Sequence, residues 1–267
     1  MPMKDTLYKF RSLDNEYDLE CLTSHKLFYA KPNQLNDPHD LKIDYDFSLI
    51  DTEEKVIELA AFFYKGAMDS IANGTTDKRL PKFSLFVNFI RNKPSEVKEF
   101  FNISIAKYDE KFGVICFSKN CMNTLLWSHY GGSHKGMAIG FKTSKLGLQV
   151  ADGLLRGVDY NKFYHKISPI DYDSQDTLIK KLYSKSIDWE YENEVRIVKI
   201  YTDDSDEESR YLTVPLESIE EVVLGMYITQ EHQDKIIKFC SENGIKVYKI
   251  EKQHLSFELT KKLIIRL

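Results

Sequence analysis

Apolar and charged residues alternate with a period of two from Trp189 to Val198, in the order Trp189-Glu190-Tyr191-Glu192-Asn193-Glu194-Val195-Arg196-Ile197-Val198. An extended strand here puts Trp189, Tyr191, Val195 and Ile197 on one face and Glu190, Glu192, Glu194 and Arg196 on the other. Two readings of that carboxylate-rich face stand side by side. It is either an ordinary solvated face or a set of carboxylates held at the mouth of a sheet for acid, base or electrostatic work.

The same periodicities lay out the rest of the chain. A short strand over 6–11 sets Tyr8 and Phe10 on one face and Lys9 and Arg11 on the other, an anion-binding edge or simply two solvated cations. A helix is expected over 14–23 and a strand over 26–30. Lys31 to Pro38 reads as a loop, because Pro fixes φ and Asn or Asp bonds the local backbone. Residues 51–109 carry three- and four-residue apolar spacing with Thr52 as N-cap, which predicts an insertion of two or three helices. The run Val114-Ile115-Cys116-Phe117 predicts a strand with Ser118 at its end.

A short helix over 124–130 follows, stopped by Gly131-Gly132. Trp127 and Tyr130 fall on one face of it, as core packing residues or as walls of a site. Strands are then expected over 136–141, 158–160, 211–214, 221–224, 246–250 and 256–263, with helices over 174–186 and from Thr229 to Asn243. The acidic stretch 203–208 reads as a solvated hairpin tip. These elements make an α+β fold around a mixed, mainly antiparallel sheet, with one domain over 1–267 and the helical insertion inside it.

Composition narrows the function classes. The 267 residues are 42% hydrophobic and 13% aromatic, which suits a globular chain with a sizeable core. A net charge of -4 gives no bulk attraction to nucleic acid or to an anionic membrane. No basic-then-apolar leader and no membrane-length apolar run is visible, so a soluble, cytoplasmic protein is expected. The four cysteines have no framework spacing and fit reduced thiols. Cys116 and Cys121, upstream of His129 and His134, match no compact zinc motif, and no metal is expected.

Five ordered strings carry a resemblance: Tyr8-Lys9-Phe10-Arg11, Leu35-Asn36-Asp37-Pro38, Cys116-Phe117-Ser118, Trp127-Ser128-His129-Tyr130, and Lys185 with Trp189 to Arg196. Together they resemble the bacterial domain of unknown function 2971 family, whose name implies no activity. A more distant resemblance is to ADP-ribosyltransferases. Their pattern of a basic residue on the first strand, a Ser strand and a Glu-x-Glu entering a strand is matched in order by Arg11 or Lys9, Phe117-Ser118 and Glu192-Asn193-Glu194.

That second resemblance implies a split-sheet fold and an enzyme that cleaves NAD and passes ADP-ribose to a protein or nucleic-acid acceptor, in bacterial defence or as a toxin. It implies Glu194 beside the ribose to stabilise developing oxocarbenium charge, and Glu192 to deprotonate or orient the acceptor. Arg11, with Lys9, would hold the pyrophosphate, and Ser118 would support the site. Asn36, Trp127, His129 and Tyr130 would wall it. No Gly-x-Gly-x-x-Gly run is present, so a Rossmann mode of binding NAD is not expected. Two other classes stay open: a non-catalytic nucleotide- or partner-binding member of the fold, and a metal-dependent nuclease using Glu190, Glu192 or Asp37 with Lys185.

Overall fold

The computed structural model describes residues 5–74, 80–149, 154–201 and 208–265. The chain opens with β1 (Thr6–Arg11), α1 (Glu16–Thr23) and β2 (Lys26–Phe28). Asn15 starts α1 by accepting a hydrogen bond from the Asp18 N–H, the usual service of an N-cap side chain. Three helices then occupy the next stretch: α2 (Glu53–Ala72), α3 (Phe83–Asn92) and α4 (Pro94–Asp109). Thr52 caps α2 through its side chain, as its position ahead of the apolar run predicts.

The remaining elements are β3 (Phe112–Ser118), α5 (Thr124–His129), β4 (Met137–Lys142), α6 (Thr143–Gln149), β5 (Leu154–Gly157), β6 (Asp159–Asn161), α7 (Gln175–Tyr183), β7 (Ser184–Ser186), β8 (Glu194–Ile200), β9 (Tyr211–Thr213), β10 (Ile219–Leu224), α8 (Gln230–Glu242), β11 (Lys246–Lys252) and β12 (Leu259–Ile265). The main sheet runs β12-β11-β10-β4-β1-β3-β8-β5. Its neighbours are antiparallel except β10 and β11, which are parallel and joined through α8, the long crossover that parallel strands require.

Two expectations need correction. Trp189 and Tyr191 are not in a strand: residues Ile187–Glu192 form a 3-10 helix, and Asn193 takes the left-handed conformation at φ 47° and ψ 52°. Asn tolerates that region better than most residues, so the extended run begins only at Glu194. From there the alternation holds, with Val195 and Ile197 in the main core and Glu194 and Arg196 on the opposite face. The helix expected over 174–186 ends at Tyr183, and Ser184–Ser186 instead pairs in parallel with β6. Of the expected acidic hairpin tip, residues 203–207 lie outside the described residues.

The sheet is not uniformly closed. β3 and β8 pair along their whole length, from Phe112 opposite Ile200 to Ser118 opposite Glu194. β1 and β4 likewise pair from Thr6 to Arg11. Between β1 and β3, however, the one paired position is Tyr8 opposite Ser118. Past it the two strands separate, and the far end of β3 is bridged by Ala30 opposite Val114. A gap opens in the middle of the sheet.

One face of the sheet carries the largest core, where Leu7, Ile115, Phe117, Ile139, Val195 and Ile197 pack with Leu22 of α1 and Ile236 of α8. On the other face Trp127 of α5 is fully buried against Phe10, with ring centroids 5.1 Å apart and planes at 80°. The edge-to-face arrangement is one that aromatic pairs prefer. The helices α2, α3 and α4 close on their own aromatic cluster around Phe63 and Phe101.

Gly136 shows how tightly the turn before β4 lies on β1. A Cβ built there would sit 2.0 Å from the Arg11 carbonyl oxygen, a contact with rigid backbone. Gly136→Ala therefore lowers stability by about 1–3 kcal/mol, to be read from the denaturation midpoint in urea. It also displaces the end of β1 that carries Arg11.

Candidate functional site

The gap between β1 and β3 is a cavity of about 350 Å³, a volume at the lower end for small-molecule sites. β1 contributes Lys9 and Arg11 and β3 contributes Cys116 and Ser118. The loop after β2 contributes Asn36 and Asp40, α5 and its C-cap contribute His129 and Tyr130, and the β7–β8 segment contributes Lys185, Glu192 and Glu194. Lys9, Arg11, Asn36, Ser118, His129, Tyr130, Glu192 and Glu194 thus share one cavity. Trp127 does not line it, because its ring is spent on the core and its Nε1 donates to Cys121 O at 2.7 Å.

Two of the cations lining the cavity, Lys9 and Arg11, form no ion pair with a carboxylate among the described residues. Lys9 Nζ donates to the Cys116 carbonyl at 3.0 Å, a β3 acceptor left open by the missing pairing with β1. Burial and then the neighbouring Arg11 pull the Lys9 ammonium below its usual value. Arg11 Nε is buried with no hydrogen-bond partner among the described residues. A buried donor without an acceptor is uncommon and costly.

Against the cavity lies a cluster of buried charges that includes Asp40, Lys185, Glu192, Glu194 and Arg196, all less than a tenth exposed. Arg196 Nε donates to Glu194 Oε1 at 2.7 Å and its Nη2 to Glu194 Oε2 at 2.9 Å, a forked pair. The same guanidinium reaches Asp40 Oδ2 at 2.7 Å and the Leu182 carbonyl at 3.0 Å. Lys185 Nζ bonds Glu192 Oε2 and, at 3.2 Å, Glu194 Oε2, and it lies 3.4 Å from Asp40 and 5.0 Å above the Trp189 ring.

The two glutamates are held differently. Burial alone would push the Glu194 carboxyl up, but Arg196 and then Lys185 outweigh it and bring it down to about 2. For Glu192, burial pushes the carboxyl up, Lys185 pulls it back and Glu194 pushes again, leaving it above the ordinary value. Its Oε1 accepts from the Tyr130 hydroxyl at 2.6 Å, and Asn36 Nδ2 donates to that same hydroxyl at 3.1 Å. Two adjacent carboxylates pushed in opposite directions is a pattern found where acid and base roles are divided.

Ser118 acts on the backbone. Its Oγ lies 2.6 Å from the Glu192 carbonyl and accepts from the Asn120 N–H at 3.0 Å. It thereby locks the turn before β8 onto the end of β3. Tyr160 completes the support, its hydroxyl accepting the Glu194 N–H at 2.8 Å. Around the mouth, the His129 ring lies 6.1 Å from Trp189 and 6.3 Å from Tyr191.

Residues 126–197 match the family model described as "Protein of unknown function (DUF2971)". The matched stretch is roughly a quarter of the chain. It contains His129, Tyr130, Lys185, Glu192, Glu194 and Arg196, while the cations Lys9 and Arg11 lie outside it. No curated protein and no solved structure matches the chain.

Asp40 escapes sequence reasoning altogether. It sits in a loop with no periodicity, and its partner Arg196 is 156 residues away. Lys185 and Arg196 were visible as charges near the strand, but their sharing of three and two carboxylates was not. Of the acidic residues considered for a metal, Glu190 is exposed. Asp40, Glu192 and Glu194 surround two cations, and among the described residues no group of three or more His, Cys, Asp or Glu is arranged to hold a metal ion. No described helix is long and apolar enough to cross a membrane.

Proposed function

We propose that this protein binds NAD in the gap between β1 and β3, cleaves the nicotinamide–ribose bond and transfers ADP-ribose to a protein or nucleic-acid acceptor. The observation that carries the reading is the make-up of this cavity: Lys9 and Arg11, neither paired with a carboxylate among the described residues, share it with a buried carboxylate pair. A pyrophosphate suits the first and a sugar with developing positive charge suits the second. The opening of the sheet between two central strands supports the split-sheet architecture that the ADP-ribosyltransferase resemblance implies. The cavity volume suits part of a dinucleotide, with the remainder extending beyond it.

In this reading the C1′–N bond breaks with its electron pair leaving on nicotinamide, and the ribose becomes an oxocarbenium ion. Glu194 stays ionised near that sugar. Arg196 and Lys185 offset part of its charge, so its larger contribution is to fix both cations in place. Glu192, the carboxylate with the greater proton affinity, takes the proton of the acceptor as its nucleophile bonds C1′. Tyr130 and Lys185 aim it.

The deciding experiment incubates purified protein with NAD and a metal chelator, with and without cell extract as acceptor source, and measures nicotinamide release. Release is expected, and Arg11→Ala weakens NAD binding by about tenfold to a hundredfold through loss of charge-assisted hydrogen bonds. Neither binding nor release would overturn the reading. A second reading, nucleotide binding without turnover, draws on the cations that already occupy both Glu194 oxygens. NAD binding without nicotinamide release under any condition would favour it.

A further inference from the structure

Where β1 runs into α1, the cavity wall consists of Arg11, Ser12 and Asp18. Arg11 Nε is buried and has no hydrogen-bond partner among the described residues. Ser12 Oγ donates to Asp18 Oδ2 at 2.8 Å, and Asn15 Nδ2 approaches the same oxygen at 3.4 Å. Asp18 is thus held by its neighbours through one oxygen. Its other oxygen, Oδ1, accepts no side-chain hydrogen bond among the described residues. One corner therefore places the Arg11 guanidinium, suited to an anion, and, joined to it through Ser12, a carboxylate oxygen suited to hydroxyl donors.

A ligand that satisfies both presents a phosphate next to a free sugar hydroxyl. Placing a second phosphate ester on that hydroxyl removes the donor and sets negative charge beside Asp18, with Arg11 and Lys9 already taken by the first phosphate. A site built to bond a hydroxyl discriminates strongly against an analogue lacking it, because its polar groups are left unpaired. Like-charge juxtaposition adds to that penalty.

We propose that this corner selects nucleotides whose ribose 2′-hydroxyl is free, so that the cavity takes NAD and rejects NADP, with Asp18 as the discriminating residue. The inference rests on the nucleotide reading of the cavity but not on turnover. It is tested by equilibrium binding, using calorimetry with four probes: NAD, NADP, AMP and adenosine 2′,5′-bisphosphate.

The wild-type protein binds NAD and AMP about tenfold or more tighter than their 2′-phosphorylated counterparts. Asp18→Asn keeps the shape and the acceptor for Ser12, and it narrows both gaps to about threefold or less by improving the binding of NADP and the bisphosphate. A melting curve for the variant that matches wild type separates this effect from loss of fold. Equal affinities for the members of each pair in the wild type, or gaps that Asp18→Asn leaves unchanged, would overturn the assignment. Discrimination between AMP and the bisphosphate without nicotinamide release would leave it standing while the transferase reading falls. Binding of none of the four would overturn both.

Discussion

Replacing Arg196 with methionine lowers the free energy of unfolding by about 3–5 kcal/mol, the usual cost of breaking a buried ion cluster from one side. The side chain is fully buried and holds Glu194 by two hydrogen bonds and Asp40 by a third. Without it, three buried carboxylates share Lys185. The measurement is urea denaturation at neutral pH, and a loss below about 1 kcal/mol would show that Asp40 and Glu194 find other partners.

The pH dependence has a definite sign. The Glu194 carboxyl is held down from 4.5 to about 2, so its share of stability is fully present above about pH 4.5. It disappears as the pH falls toward 2. In Arg196→Met that holding is weakened and burial regains influence, so acid unfolding begins at a higher pH than in the wild type.

The second large effect is on turnover. Glu192→Gln reduces ADP-ribose transfer to acceptor by about a hundredfold or more, the range of positioned acid–base catalysis, while nicotinamide release to water falls less. The contrast arises because the bond to nicotinamide breaks before the acceptor's proton must leave. Glutamine keeps one acceptor oxygen, which Lys185 takes, and its amide N–H donates to the Tyr130 hydroxyl, which turns its own proton to Asn36 Oδ1. Parallel assays of nicotinamide and of labelled ADP-ribose on acceptor separate the two steps. Equal loss in both would move Glu192 from the acceptor to the ribose, and no loss in either would remove it from the chemistry.

Much of the architecture follows from local periodicity. Val195 and Ile197 do alternate with Glu194 and Arg196, Thr52 and Thr229 do cap their helices, and helical spacing marks α2, α3 and α4. The reading fails where a single backbone angle decides. Asn193 at positive φ turns the chain, so Trp189 and Tyr191 continue the alternation on paper while lying in a 3-10 turn.

The site divides in the same way. Lys9, Arg11, Glu192 and Glu194 were legible as charges beside strands. Trp127 belonged to the core because α5 packs on Phe10, and Asp40 became significant only through a pairing across the whole chain. Long-range electrostatic partners leave no period in a sequence.

The gap beside β1 has a kinetic consequence. Its walls come from the first strand, a strand beyond the helical insertion, and the β7–β8 segment later still, and β1 meets β3 at the single pair of Tyr8 and Ser118. Contacts between distant parts of the chain pay their loop-closure entropy before they gain anything in return. The cavity therefore completes late in folding, after β3 and β8 have zipped together. In a kinetic refolding experiment, protection of the Ile197 amide, opposite Ile115 in the β3–β8 ladder, should precede the recovery of nucleotide binding, and a ligand spanning the gap should slow unfolding far more than it speeds folding.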